Sequence, residues 1–205
     1  MSYILGFFAA DGYMTINKRG GQYWSIDIGD LVLINIIKTI IQSDHKIGIR
    51  RRQGGKYTTY RLQIGSNKMC EDLRRLGFDE RKTKRLILPS IPKKLFSDFV
   101  RGYFDGDGNV WTGKTHKLSK TYSQTIQTVF TSCSIGFLKE MKKELESFQI
   151  VRGVLKQGNG DYFRLTYSIN NSLKLYDFMY NNLGTSGLLL ERKKDVFEKY
   201  IKLRL

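Results

Sequence analysis

Asp98-Phe-Val-Arg-Gly-Tyr-Phe-Asp-Gly-Asp-Gly-Asn-Val110 is the stretch that decides the fold, because the chain opens with a second version of it, Tyr3-Ile-Leu-Gly-Phe-Phe-Ala-Ala-Asp-Gly-Tyr13. Each version has a small residue, three intervening residues, a second small residue and then Asp-Gly. The copies lie 96 residues apart, measured from Asp11 to Asp107. A motif repeated at one constant offset indicates a duplicated unit, so the sequence predicts two related halves.

The small residues of each copy fall on one face of a helix, because they are four positions apart. Glycine inside a helix costs about 0.5–1 kcal/mol relative to alanine, so a contact must offset that cost. Small residues four apart allow two helix backbones to approach closely. We therefore expect two motif helices, over residues 3–12 and 97–108, to pack through Gly6, Ala10, Gly102 and Gly106.

Asp11 and Asp107 end the motif helices, and the glycines after them, Gly12 and Gly108, are expected to be left-handed C-terminal caps. Carboxylates at helix C-termini are disfavoured by the helix dipole, and two facing carboxylates also repel. A hard divalent cation such as Mg²⁺ would relieve this charge. A simple turn is the alternative explanation of any one Asp-Gly pair, but the repetition favours the functional one.

The net charge of +16 and the pI of about 9.8 point to a polyanionic partner. Residues 1–92 carry 16 Lys and Arg against 8 Asp and Glu, and residues 93–205 carry 19 against 11. Each half is therefore +8, which favours two equivalent surfaces on one long polyanion over a basic tail. Nucleic acid is the favoured partner, with a membrane surface second.

Other features of the chain bound its class. No stretch approaches the ~20 apolar residues of a membrane span, and the motif follows Met1 directly, without a signal peptide. We expect an intracellular, non-secreted protein in which Cys70 and Cys133 are reduced and structural. Pro89 and Pro92 are the only prolines, and they mark the boundary between halves 1–92 and 93–205.

Hydrophobic periodicity predicts the same order of elements in both halves: a helix, two strands, a helix, two strands and further helix. In the first half the hairpin turns are expected at Gly20-Gly21 and Gly54-Gly55, and Asp30 is expected to cap a buried helix. In the second half a hairpin is expected about Gly158-Asn-Gly160, with helices over 173–183 and 188–205. The class is α+β, a duplicated αββαββα unit.

Both motif copies resemble the motif of the LAGLIDADG homing endonucleases, and Phe99–Val110 is close to its common form. The first copy departs from it at Phe7-Phe8-Ala9, but it keeps the last Asp-Gly. Two copies in one chain resemble the single-chain, pseudo-symmetric members. The resemblance covers essentially the whole chain, and it implies the LAGLIDADG fold with two DNA-binding antiparallel β-saddles.

The resemblance also implies a site-specific, metal-dependent endonuclease that makes a double-strand break with short 3′ overhangs in a long, nearly non-palindromic duplex DNA target. Asp11 and Asp107 would be metal ligands, helped by the main-chain carbonyls of Ala10 and Gly106, for Mg²⁺, with Mn²⁺ or Ca²⁺ able to occupy the same sites. The protein would act as a monomer without a protein partner. Further catalytic candidates that order water are Asp27, Gln63, Lys68 and Gln127.

Strand residues that alternate away from the helices are candidates for DNA contact, since Arg, Gln, Asn and Lys reach base edges and phosphates. In the first half these are Thr15, Asn17, Arg19, Gln22, Ser25, Arg50, Arg52, Lys56, Thr58 and Arg61, with Asp27 and Gln63 on the same strands. In the second half they are Asn109, Trp111, Lys114, Gln124, Lys156, Gln157 and Arg164, with Gln127 beside them. The run Arg50-Arg51-Arg52 puts charge on both strand faces, so at least one of its arginines is expected to touch only phosphate or water.

Two alternatives remain open on the same fold: a catalytically silent DNA-binding regulator and an intron RNA maturase. Retention of both aspartates argues against lost catalysis, although it does not exclude maturase activity. An intein fragment is disfavoured, because the chain has no nucleophile at its start and no His-Asn near its end.

Overall fold

The structure is a computed structural model that describes residues 1–51, 58–80, 82–115, 123–181, 183 and 187–204. The first half contains α1 (Ser2–Asp11), β1 (Gly12–Ile16), β2 (Gln22–Ile28), α2 (Leu31–Ile40), β3 (Gly48–Arg51), β4 (Thr58–Gly65), α3 (Asn67–Arg75) and α4 (Lys82–Arg85). The second half contains α5 (Lys93–Asp107), β5 (Gly108–Thr115), β6 (Ser123–Ser132), α6 (Ile135–Ser147), β7 (Val154–Gln157), β8 (Phe163–Ser168), α7 (Ile169–Tyr180) and α8 (Glu191–Lys202).

The strands form two antiparallel sheets of four strands with equivalent orders, β1-β2-β4-β3 and β5-β6-β8-β7. In the first sheet the side chains of Met14, Trp24, Ile26 and Leu62 are buried toward the helices. The alternate side chains lie on the opposite, polar face, as the two-residue period of a strand requires. The predicted α+β class with a duplicated ββαββ arrangement behind each motif helix is confirmed.

Local signals in the sequence place several element ends correctly. The carboxylate of Asp30 accepts from the main-chain NH of Leu33 at 2.8 Å, which is the predicted helix cap. Gly20 takes a positive φ of 80° in the first hairpin turn. Helix α7 begins at Ile169, earlier than the predicted 173, and α4 was not predicted. The turn predicted at Gly54-Gly55 lies outside the described residues.

The prediction of left-handed glycine caps after the motif helices is wrong. Gly12 has φ −79° and ψ 158°, and Gly108 has φ −91° and ψ 160°, so both are extended and begin a strand directly. Glycine is required there for space. A Cβ on Gly12 would lie 2.1 Å from the Phe8 ring, and one on Gly108 would lie 2.3 Å from the Phe104 ring.

The predicted close packing of the motif helices is confirmed. A Cβ on Gly6 would lie 2.0 Å from the carbonyl oxygen of Phe99, and one on Gly102 would lie 2.0 Å from that of Tyr3. The backbones of α1 and α5 therefore touch at both glycines. A Cβ on Gly106 would lie 2.3 Å from the Cβ of Ala10, so the contact continues toward the carboxyl ends of the helices.

Residues 86–92 connect the halves, and two of them are hydrogen-bonded to the second half, while the side chain of Ile87 lies against Gly77 of the first. The Ser134 hydroxyl donates to the carbonyl oxygen of Leu86 at 2.7 Å, and the NH of Leu88 donates to the Glu140 carboxylate at 3.0 Å. Ser134 is the N-cap residue of α6, and Glu140 lies within that helix. Among the described residues, no helix combines the length and apolar character needed to cross a membrane.

Candidate active site and DNA-binding faces

Asp11 and Asp107 are the last residues of α1 and α5, and both are exposed. The close approach of the helices brings one carboxylate against the opposite backbone, since a Cβ on Gly106 would lie 3.2 Å from Oδ2 of Asp11. The glycine therefore keeps open the space beside that carboxylate. One aspartate from each half thus reaches the same end of the helix pair.

The charges of the two aspartates act on one buried group. Tyr103 lies in α5, and its hydroxyl donates to the carbonyl oxygen of Thr131 at 2.7 Å. Burial raises the pKa of Tyr103 strongly, and the negative charges of Asp107 and Asp11 raise it further. Both carboxylates therefore act electrostatically on the same buried tyrosine.

Lys193 of α8 caps the carboxyl end of α5, and no prediction from the sequence anticipated it. Its ammonium donates to the carbonyl oxygens of Phe104 at 2.6 Å, Asp105 at 2.8 Å and Gly108 at 2.6 Å. Burial lowers its pKa to about 8, while the carboxylates of Asp105, Asp11 and Asp107 oppose that shift. The buried cation therefore satisfies the helix end that carries Asp107 and offsets part of the local negative charge.

One signal in the sequence could have located this lysine. Glu191-Arg-Lys193 repeats Glu80-Arg-Lys82, so the position belongs to the duplicated unit. The side chain of Lys82 lies outside the described part of the chain.

Asp105 precedes the exposed aspartate by two residues but is buried and structural. Its Oδ2 accepts from the Tyr3 hydroxyl at 2.7 Å and from the NH of Leu190 at 2.9 Å. Burial raises its pKa to about 6, and the hydrogen bond from Tyr3 and the charge of Lys193 oppose the shift. Asp105 therefore joins α1, α5 and the start of α8.

The donor set at the helix ends suits a hard cation. Mg²⁺ is commonly bound through one or two carboxylates and completes its shell with water and substrate phosphate. Asp11 and Asp107, with the carbonyls of Ala10 and Gly106 next to them, match that chemistry, and Gly106 leaves the space for it. No cluster of three or more His, Cys, Asp or Glu side chains occurs among the described residues, so a closed all-protein cage is absent from that part of the chain.

A cavity of about 560 Å³ leads from Asp11 onto the polar face of the first sheet. Its lining residues are Asp11, Tyr13, Asp27, Arg50, Arg51 and Thr59. Of the four candidates for ordering water, Asp27 alone shares this cavity with Asp11. The carboxylate of Asp27 is committed to a two-pronged ion pair, accepting from Nε of Arg61 at 2.6 Å and from Nη2 at 2.7 Å.

The other three candidates, Gln63, Gln127 and Lys68, lie outside the residues that line this cavity. Gln63 pairs in register with Ser25 and is exposed. Gln127 pairs with Trp111, four residues beyond Asp107 along the chain. Lys68 is exposed in the first turn of α3, beyond the end of β4 that pairs with Tyr23. The structure does not bring Lys68 to the carboxylates.

On the first sheet, Thr15, Arg50 and Arg61 lie on the polar face as expected, and Arg19 is exposed in the turn. Other candidates from this half have different placements. Ser25 is 0% exposed, and the Gln22 amide oxygen accepts from Arg74 at 2.6 Å, so neither is presented to a partner. The side chain of Asn17 accepts hydrogen bonds from two main-chain NH groups of its own turn. Thr58 is half-buried. Arg52 and Lys56 lie outside the described residues.

On the second sheet, four candidates are exposed on the polar face: Asn109, Trp111, Lys156 and Arg164. Trp111 is 42% exposed and its ring lies over Gly113, where a Cβ would come within 2.5 Å of it. Three further candidates have the register of helix-facing side chains. Of these, Lys114 and Gln157 are exposed near strand ends, and Gln124 is half-buried.

Solved structures with the same fold belong to LAGLIDADG meganucleases. The I-AabMI meganuclease bound to uncleaved DNA aligns with a TM-score of 0.64 over 98% of this chain and 91% of that one, at 14% identity. I-SmaMI bound to an uncleaved DNA target in the presence of calcium ions aligns with a TM-score of 0.62 over 98% and 89%, at 13% identity. This chain has the LAGLIDADG homing endonuclease fold. The fold expected from the two motif copies is thereby confirmed.

Similarity to known proteins is more limited in sequence than in fold. No protein-family model matches the chain. The probable translation initiation factor IF-2 of Thermococcus kodakarensis (strain ATCC BAA-918 / JCM 12380 / KOD1) is 29% identical over 164 residues, which cover 76% of this chain and 13% of that protein. A similar sequence therefore occurs as a small part of a much longer chain.

Proposed function

We propose that this protein is a site-specific endonuclease that acts as a monomer and makes a metal-dependent double-strand break in duplex DNA. One observation carries the proposal: a carboxylate from each half lies at the shared end of α1 and α5, which the two glycine contacts hold together. The fold of DNA-bound meganucleases and the charge of +16 support DNA as the substrate.

In this proposal the chain positions both the ions and the DNA. Asp11 and Asp107, with the carbonyls of Ala10 and Gly106, would hold Mg²⁺, and a bound Mg²⁺ would supply an activated water and charge neutralisation at the scissile phosphate. Lys193 fixes the end of α5 through three carbonyls and keeps Asp107 in place. The polar faces of the two sheets hold the duplex on either side, so each aspartate serves one strand and a short staggered break results.

The test is cleavage of a randomised duplex library in Mg²⁺ by the parent and by Asp11→Asn and Asp107→Asn. Asp44→Asn is the matched control, because it removes one exposed carboxylate in the loop after α2, away from the helix ends. We expect defined double-strand breaks from the parent and the control, and at least a hundredfold less cleavage from either site variant. Chelation of the metal should abolish cleavage by the parent.

Binding measured on the same library separates this proposal from a catalytically silent regulator or an RNA maturase. Tight duplex binding without cleavage in Mg²⁺ or Mn²⁺ would refute the nuclease and leave a DNA-binding protein. Cleavage that persists in both aspartate variants would refute the assigned site.

A further inference from the structure

The two sheets have a matched pair of positions at which one half carries a carboxylate and the other does not. Gly12 opens β1 opposite Ile26, and Gly108 opens β5 opposite Phe130. The next residues along β2 and β6 are Asp27 and Thr131, which therefore occupy equivalent places. Asp27 pairs in register with Arg61, and Thr131 pairs with Arg164.

The arginines at these equivalent places differ in their partners. Arg61 makes the two-pronged pair with Asp27, at 2.6 and 2.7 Å, and its guanidinium also lies 5.1 Å from the centre of the Tyr13 ring. Arg164 is exposed and lies 5.1 Å from the centre of the Tyr162 ring, and no carboxylate of the described residues forms an ion pair with it.

The edge strands β3 and β7, which pair with β4 and β8, increase this difference in charge. Arg61 pairs in register with Gly48 of β3, whereas Arg164 pairs with Lys156 of β7. The row that contains Asp27 and Arg61 therefore has a net charge of zero. The row that contains Arg164 and Lys156 has a net charge of +2. At these equivalent register positions the two sheets present unequal charge.

We propose that Asp27 attenuates DNA binding by the first sheet: it neutralises Arg61, so that Arg61 supplies less phosphate contact than Arg164, its counterpart in the second sheet. The inference rests on the proposed function, because it requires duplex DNA to lie on both polar faces. It assigns Asp27 a role in setting the balance between the halves, in place of the water-ordering role expected from the sequence.

The physical reason is counterion release. A cationic side chain that neutralises a DNA phosphate displaces a condensed counterion, and each such contact steepens the dependence of log K on log salt by about 0.9. An arginine already paired with a carboxylate brings no net charge to the phosphate. Releasing Arg61 should therefore add about one contact, which corresponds to roughly a 3.5-fold additional loss of affinity between 50 and 200 mM salt.

The test exchanges the two equivalent residues, with each half serving as the control for the other. Binding of the full chain to a duplex of random sequence, without divalent metal, is measured between 50 and 200 mM salt. We expect Asp27→Thr to bind more tightly at low salt with a slope steeper by about 0.9, and Thr131→Asp to bind more weakly with a slope shallower by about 0.9.

Repeating each exchange without its arginine identifies the cause. In an Arg61→Ala background, Asp27→Thr should no longer steepen the slope, and in an Arg164→Ala background Thr131→Asp should no longer reduce it. An equal gain with and without Arg61 would mean that Asp27 acts only through net charge, which overturns the inference. A parent that binds DNA while neither exchange changes the slope would overturn the inference alone. A parent that does not bind would overturn the proposed function as well.

Discussion

Replacing Gly102 with alanine tests whether the two helices that carry the aspartates are in backbone contact. The new Cβ would lie 2.0 Å from the carbonyl oxygen of Tyr3, whereas ordinary contact begins at 3.4 Å, so the helices must separate by about 1.4 Å. A main-chain oxygen cannot rotate away, which places the overpacking near the upper end of the usual 1–3 kcal/mol, about 3. The gain in helix propensity offsets about 1 kcal/mol of it. We expect a net loss of about 2 kcal/mol in the free energy of unfolding.

Urea denaturation measures this change, with Gly136→Ala as the matched control. Gly136 also lies in a helix, but its nearest neighbour to a new Cβ is the Ser134 hydroxyl at 3.8 Å. The control should therefore gain about 0.5–1 kcal/mol from helix propensity alone. If Gly102→Ala were as stable as the parent, or shared the gain of the control, the backbone contact between α1 and α5 would be refuted.

Three further changes test individual polar contacts by the same measurement, two of them beside that interface and one at the start of α2. Lys193→Met leaves three carbonyls of the α5 end without their donor and should destabilise by about 3 kcal/mol, whereas Lys199→Met, on the exposed side of the same helix, should change little. Tyr3→Phe removes the donor to Asp105 and should cost about 1.5 kcal/mol, and a change below 0.5 would contradict that bond. Asp30→Ala removes the cap of α2 and should cost about 1 kcal/mol; an unchanged midpoint would contradict the cap.

The parts of the fold that a short sequence motif marks were predictable from the sequence. The close helix contact follows from two glycines that helices otherwise avoid, and the Asp30 cap and the Gly20 turn follow from residues within three positions. Because the motif is repeated, the helix predicted at residues 97–108 also predicted the helix at residues 3–12. The exposed aspartates at the helix ends were found in the same way.

Polar side-chain contacts between distant residues were not predictable. The ion pair of Asp27 and Arg61 joins residues 34 apart and depends on which face of the sheet each occupies. Lys193 reaches its three acceptors across 85 to 89 residues. The left-handed caps failed for a related reason. The prediction attributed the glycine at position 12 to a special backbone conformation. The structure shows that glycine is required there because the ring of Phe8 occupies the space of a Cβ.

The attachment of residues 86–92 to α6 has a consequence for dividing the gene. Leu86 and Leu88 are held by Ser134 and Glu140 of the second half, while the side chain of Ile87 lies against Gly77 of the first. Encoding the chain as two pieces divided between Arg85 and Leu86 would keep both of these hydrogen bonds within one piece. Such pieces would have the backbone contact between α1 and α5 as the surface through which they reassemble, without a covalent linker.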